Sequence, residues 1–218
     1  MVGAIIRSLF AAMLLAVSGA ASGVPPRMPP RDYCTHDRSF VAFRAALRTA
    51  VARRDAAFIL RTATEDIRYS YGDDGSREGF ARAWGLDRPA TSRLWAEMAE
   101  ALRLGCTPDE GPEFIIPAMA QVGDEDTDTD YSLLLVAVRP GAALRAGPSD
   151  RSRLIAALRW DVVTIEDRNG EGAWVRVALR DGRRGYVRRA LFRSFGGYSA
   201  AFQKREGRWR MISFIGGD

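Results

Sequence analysis

Few side chains in this chain are reactive: Cys34, Cys106 and His36, the only histidine among 218 residues. Cys34 and His36 stand close together in a proline-rich stretch. A thiolate nucleophile needs a base held at hydrogen-bond distance and oriented by a third group. Near neighbours in an extended tail do not hold that geometry. The two cysteines read instead as a candidate disulfide, Cys34 with Cys106, or as two buried thiols. There is no Gly-x-Ser-x-Gly elbow and no histidine set at metal spacing, so no catalytic residue, metal or cofactor is assigned. Asp124, Asp126, Asp128 and Asp130 alternate like the start of a calcium loop. Thr129 stands where that loop needs glycine and Leu135 where it needs glutamate, so a solvated linker is the reading. One acid–base possibility stays open, a pocket faced by Asp55, Asp66, Tyr69 and Tyr71. Against it, Asp55 reads equally as a helix cap and the tyrosines as packed strand residues.

Recognition chemistry is better represented. Arg145, Trp160, Trp174, Arg184 and Tyr186 all lie between Leu133 and Arg193. Aromatic rings with a polar tip serve at half-buried binding surfaces, and guanidinium groups suit carboxylates and phosphates. They could line a groove for a peptide or glycan, or Trp174 could be core. From Arg139 to Arg193 there are 13 arginines against 6 acidic residues, while the whole chain carries +5. Lys204 is the only lysine. Anionic wall polymers, lipid head groups or acidic proteins are the partners such charge could meet, and a solvated surface is the alternative. Nucleic acid is not expected, because no recognition motif accompanies the charge.

These residues need elements to carry them. Arg7 followed by the apolar run Leu9–Val17 reads as a secretory signal, too short to span a bilayer. Export would leave the mature chain periplasmic or secreted, with no membrane association. Pro25, Pro26, Pro29 and Pro30 then make an extended, mobile leader. Ser39 is expected to cap a helix whose apolar face holds Phe40, Phe43, Leu47 and Val51, with Arg44, Arg48 and Arg53 pointing elsewhere. Asp55 caps a second helix. Ile67–Tyr71 alternates as a strand, Phe80 and Trp84 share a short helix, and Leu94, Trp95, Met98 and Leu102 line another that stops at Gly105. Short apolar strands separated by turn residues follow: Leu144–Arg145, Leu154–Leu158, Val162–Ile165, Trp174–Val177 and Gly185–Val187. Their expected core is Leu144, Ile155, Leu158, Val163, Val175, Val177 and Val187. Tyr198–Phe202 and Trp209–Ile215 form a last hairpin around Arg205-Glu206-Gly207, one that returns to the first domain and completes its small antiparallel sheet.

The order and spacing of the strands between Leu133 and Arg193 resemble a bacterial SH3-like (SH3b) domain, a small all-β barrel. The mature chain as a whole resembles a family of exported bacterial SH3 domain-containing proteins. That likeness rests on Arg54-Asp55, Tyr71-Gly72, Phe80 with Trp84, and the end pattern Tyr198, Phe202, Gly207, Trp209, Met211, Phe214, Ile215, Gly217 and Asp218. The helix-helix-strand start is also similar to NTF2-like domains. Trp160 departs from the pattern, standing where many SH3b domains have glycine. The resemblance implies a non-enzymatic binding or adaptor protein, directed at cell-wall peptides or a periplasmic protein. The alternatives are a small-ligand pocket or weak enzyme in an NTF2-like domain, and a purely structural barrel. The expected organisation is a signal peptide over 1–22, a Pro-rich leader over 23–38 and an α+β domain over 39–122. An acidic linker over 123–132, the inserted barrel over 133–194 and the returning hairpin over 195–218 complete it.

Overall fold

The computed structural model describes residues 26–72, 75–109, 111–121, 130–167 and 172–216. The signal-like segment, most of the acidic segment and Gly217-Asp218 lie outside the described residues. In chain order, β1 (Arg31–Asp32) precedes the helices α1 (Arg38–Arg53) and α2 (Ala56–Thr62). Next come β2 (Ala63–Arg68), α3 (Arg77–Ala83), α4 (Leu94–Arg103), β3 (Gly105–Pro108) and β4 (Glu113–Ile116). Seven short strands follow: β5 (Leu134–Ala137), β6 (Ala143–Arg145), β7 (Leu154–Ala157), β8 (Val162–Ile165), β9 (Trp174–Leu179), β10 (Arg184–Arg188) and β11 (Phe192–Ser194). The hairpin β12 (Ser199–Arg205) and β13 (Arg208–Ile215) ends the described chain. The protein is mixed α/β, with two sheets.

The first sheet has the order β1-β3-β4-β12-β13-β2. It is mixed rather than antiparallel, because β13 pairs with β2 and β1 with β3 in parallel. The tight turn of the hairpin puts Glu206 (φ 51°) and Gly207 (φ 75°) both in the left-handed region, which matches the twist of the flanking strands. Helices cover this sheet through an aromatic core. Phe40 meets Phe114, Phe202 and Trp209 with ring centroids 4.6 to 5.7 Å apart, while Trp84 and Phe214 pack 4.8 Å apart.

Several local expectations are corrected. Asp37, not Ser39, caps α1, accepting the amides of Ser39 (2.7 Å) and Phe40 (3.0 Å). The Ser39 hydroxyl donates to the same Asp37 carboxylate at 2.6 Å and accepts the Trp209 indole N–H at 2.9 Å. Asp55 does cap α2, through the Phe58 amide at 2.9 Å. The strand expected over Ile67–Tyr71 runs earlier, over Ala63–Arg68, where Ala63 and Ile67 are buried. After Arg68 the chain doubles back so tightly that a Cβ on Gly75 would overlap the carbonyls of Asp66 and Ile67. Arg44, expected to point away, is only 3% exposed. It lies four residues after Phe40 and so shares its face. Its fork grips both carboxylate oxygens of Asp32, with Nη1 2.9 Å from Oδ1.

Asp32 belongs to the proline-rich leader, which is a fixed strap rather than a free extension. Pro26 and Met28 bond to Val162 and Trp160 of the second sheet, through Val162 N to Pro26 O (3.0 Å) and Met28 N to Trp160 O (2.7 Å). Arg27 pairs with Asp161 at 3.0 Å. A few residues on, β1 adds to the edge of the first sheet, and Cys34 is bonded to Cys106 with Cα atoms 5.8 Å apart. The strap passes so close to Gly105 (φ +87°) that a Cβ there would overlap the Arg31 carbonyl. Only glycine serves both that backbone angle and that approach.

The second sheet is built wholly from β5 to β11, in the order β11-β5-β8-β9-β10-β6-β7. It is open. The expected closed barrel is not formed, since no pairing joins the end strands β11 and β7. β11 is three residues long and leads straight into the first sheet, while β7 lies on the outer edge with Leu154 half exposed. Leu144, Leu158, Val163, Val175, Val177 and Val187 form its core, with Ile155 partly buried against them. Buried on both faces, β5 turns Leu135 and Ala137 to this core and Leu134 and Val136 to a second cluster with Leu104, Met119 and Val162. That second cluster is the seam between the sheets. Glu100 of α4 ties its edge, pairing with Arg103 (2.8 Å) and Arg139 (2.9 Å).

Two predictions follow from the strap. The disulfide closes a separation of 72 residues, for which chain entropy gives roughly 4 kcal/mol. Replacing both cysteines by serine is expected to lower unfolding free energy by about 2–4 kcal/mol in urea. A change under about 0.5 kcal/mol would show that the strap is held without it. The second concerns acid. Burial raises the Asp32 carboxyl, but its hydrogen bonds and charge contact with Arg44, helped by the Cys34 amide, hold it below its ordinary 3.8. Its contribution is complete above the unfolded value and is lost as pH falls through the folded one. Asp32→Asn should therefore flatten the loss of stability measured between about pH 5 and about pH 2.5. Parallel curves for the two proteins would refute the assignment.

Candidate functional site

Alternation along β9 and β10 sends Val175, Val177, Gly185 and Val187 inward. The outward positions are Trp174 and Arg176 on β9 and Arg184, Tyr186 and Arg188 on β10. Antiparallel register sets Trp174 opposite Arg188 and Arg176 opposite Tyr186. On the other side of Tyr186 stands Arg145 of β6. Glu166, just beyond β8, completes the face by meeting Arg176 Nε at 3.1 Å and Arg184 Nε at 2.9 Å.

The result is a recess lined by Glu166, Asp167, Trp174, Arg176 and Tyr186. The Arg188 guanidinium lies 5.5 Å from the Trp174 ring centroid, a cation–π contact, and also pairs with Asp150. Both charge signs thus border two aromatic rings. Rings supply apolar contact with few torsions to freeze, and the forks and carboxylate select polar groups. The strands beneath are closely packed: the Gly185 backbone runs against Arg145, where a Cβ would overlap the Arg145 carbonyl oxygen.

Of the five candidate ligand residues, the structure brings Trp174, Tyr186 and Arg184 to this face. Arg145 stands on it too, with Nη1 committed to the Ser152 carbonyl at 2.9 Å. Trp160 does not. It packs into the seam, with its backbone in the left-handed region at φ 62°. Arg176 and Glu166 were missed as site residues. Arg176 was legible, being two residues after Trp174 on an alternating strand. Glu166 was not, because only the pairing of β8 with β9 brings it over.

The acid–base set is not brought together. Asp55 caps α2 and Asp66 pairs with Arg205 at 3.2 Å. Burial pulls the Asp66 carboxyl up less than Thr64 and the other donors pull it down, with the Thr64 bond the largest influence, so it sits below its ordinary value. Tyr69 packs over Gly79, and Tyr71 is 72% exposed. Asp32, Cys34 and Cys106 cluster closely, but both sulfurs are committed to the disulfide.

No family model, curated protein or solved structure matches the chain. Nothing in those comparisons identifies the SH3b family that the motifs resemble.

The tight β10–β6 approach yields a prediction. Gly185→Ala must push β6 and β7 away from β10, costing about 2–3 kcal/mol of stability. Hydrogen exchange should rise most in Ala143–Ala157. Uniform protection with unchanged stability would contradict the packing described.

Proposed function

We propose that this chain is an exported, non-enzymatic binding protein whose second sheet is an SH3-like unit inserted into the first domain. Its outer face holds peptides that carry both free carboxylates and free amines, as cell-wall stem peptides do. The observation that carries this reading is the convergence of Trp174, Tyr186, Arg176 and Glu166 in one recess. Ligand carboxylates would meet the arginine forks and a ligand amine would meet Glu166. Trp160 adds support for the SH3-like assignment, since its left-handed backbone is the conformation that would favour glycine at this place in the pattern. Export is supported by the Cys34–Cys106 bond, which persists in oxidising compartments. Among the described residues no helix is long and apolar enough to cross a membrane.

The test is co-sedimentation with purified peptidoglycan sacculi over a salt series. Specific recognition predicts that binding persists at about 0.15 M salt and that the double variant Trp174→Ala, Tyr186→Ala weakens it about tenfold or more. If binding disappears with modest salt, or if the double variant binds like the parent, the outer face is not a wall-peptide site. Capture of a periplasmic protein instead, lost in the same variant, would replace the ligand class but keep the face.

A further inference from the structure

We propose that a second site, separate from the outer face, lies between the strap and the seam and takes a small carboxylate with one apolar tail. The strap bridges the two sheets and leaves a cleft of about 230 Å³ beneath it. Met28, Leu104, Met119 and Val138 make an apolar floor, and Pro29 and Pro30 form one wall. An apolar cavity of roughly 150 Å³ is enough to hold benzene. This cleft therefore has room for one aromatic ring or a chain of about six to eight carbons.

Charge selects the head group. Among the described residues the charged ones lining the cleft are Arg27 and Arg31. Arg27 is occupied by Asp161 at 3.0 Å. Arg31 makes no ion pair among those described, and its Nη1 is steadied by the Tyr33 hydroxyl at 3.0 Å. The remainder of that fork is available to a carboxylate at the mouth. Among the described residues no acidic side chain lines the cleft, so an ammonium group finds no partner among them.

The site is also preformed. The Met28 amide is tied to Trp160, β1 is tied to β3, and Cys34 is bonded to Cys106. Two prolines between these anchors fix their own φ angles. A wall pinned at both ends costs little to order when a ligand enters.

The experiment titrates the whole protein with octanoate, 1-octanol and octylamine by calorimetry at neutral pH. Octanoate should bind about tenfold or more tightly than octanol, and octylamine should not bind. Arg31→Gln, an exposed change, should reduce octanoate to the octanol level while leaving octanol unchanged. Met119→Trp should fill the floor and remove both. If octanoate fails to bind, or matches octanol in the parent protein, the proposal fails. It fails equally if the octanoate preference survives Arg31→Gln. Should Met119→Trp not fold, Ala118→Leu at the same floor serves as the second filling variant, with the same expected loss of binding. Because the Trp174 face also presents arginine forks to carboxylates, only binding lost in Arg31→Gln and in the floor-filling variant is scored for the cleft, and the wall-peptide reading stands or falls separately.

Discussion

The strap from Pro26 to Cys34 is the constraint on which the rest of the molecule depends. It carries backbone hydrogen bonds to the second sheet at one end and a parallel pairing plus a disulfide to the first sheet at the other. Between those ends Asp32 reaches over α1 to meet a buried arginine. Burying Arg44 is acceptable only because Asp32 neutralises it, since an unpaired buried charge is far costlier than a paired one. Its Nε still has no partner. The helix layer, the first sheet and the seam are thus coupled through one short extended segment, and the cleft beneath that segment exists because the segment is fixed.

The β5–β11 sheet lies between β4 and β12 in chain order, an arrangement that is physically tolerable for a related reason. A chain inserted at a surface connection needs its ends close together and a face that can be covered. Here β5 and β11 pair with each other, so the segment enters and leaves side by side. The outward half of β5 is covered by the seam cluster, while buried Arg193 donates to the Tyr198 carbonyl as the chain returns to the first sheet. Desolvation lowers the pKa of Arg193, with Glu100 and Glu97 nearby acting to keep its charge. Closing the sheet into a barrel would compete with this docking. The edge strands remain short, which limits the hazard of open edges.

The arginine excess of the second sheet looks different once the pairs are drawn. Glu166 takes two arginines, Asp181 takes Arg183, Asp150 takes Arg188, and Glu100 takes Arg139 from across the seam. Such exposed pairs add little stability. Their effect is to orient forks and divide the positive charge into local donors rather than a broad field. The outer face is thus patterned, with the Trp174 and Tyr186 rings between the charges.

What the sequence by itself determined was local. Alternation marked β8, β9, β10 and the last hairpin, and helical spacing marked α1 and α4, because inward and outward positions follow backbone period alone. Asp55 as a cap was legible, since capping is a contact within three residues. The even cysteine pair pointed to Cys34–Cys106 because only two thiols exist. Tertiary structure decided everything that needed residues distant in sequence. Arg44 was misplaced because its partner sits on a strand outside the helix. The leader was read as mobile because its prolines favour an extended chain, whereas its backbone bonds to both sheets. Trp160 was assigned to a groove because its type suits one, yet the docking of β5 turned it into the seam. The open order of the second sheet depended on which edges another unit covers, a competition between packing surfaces that no local spacing records.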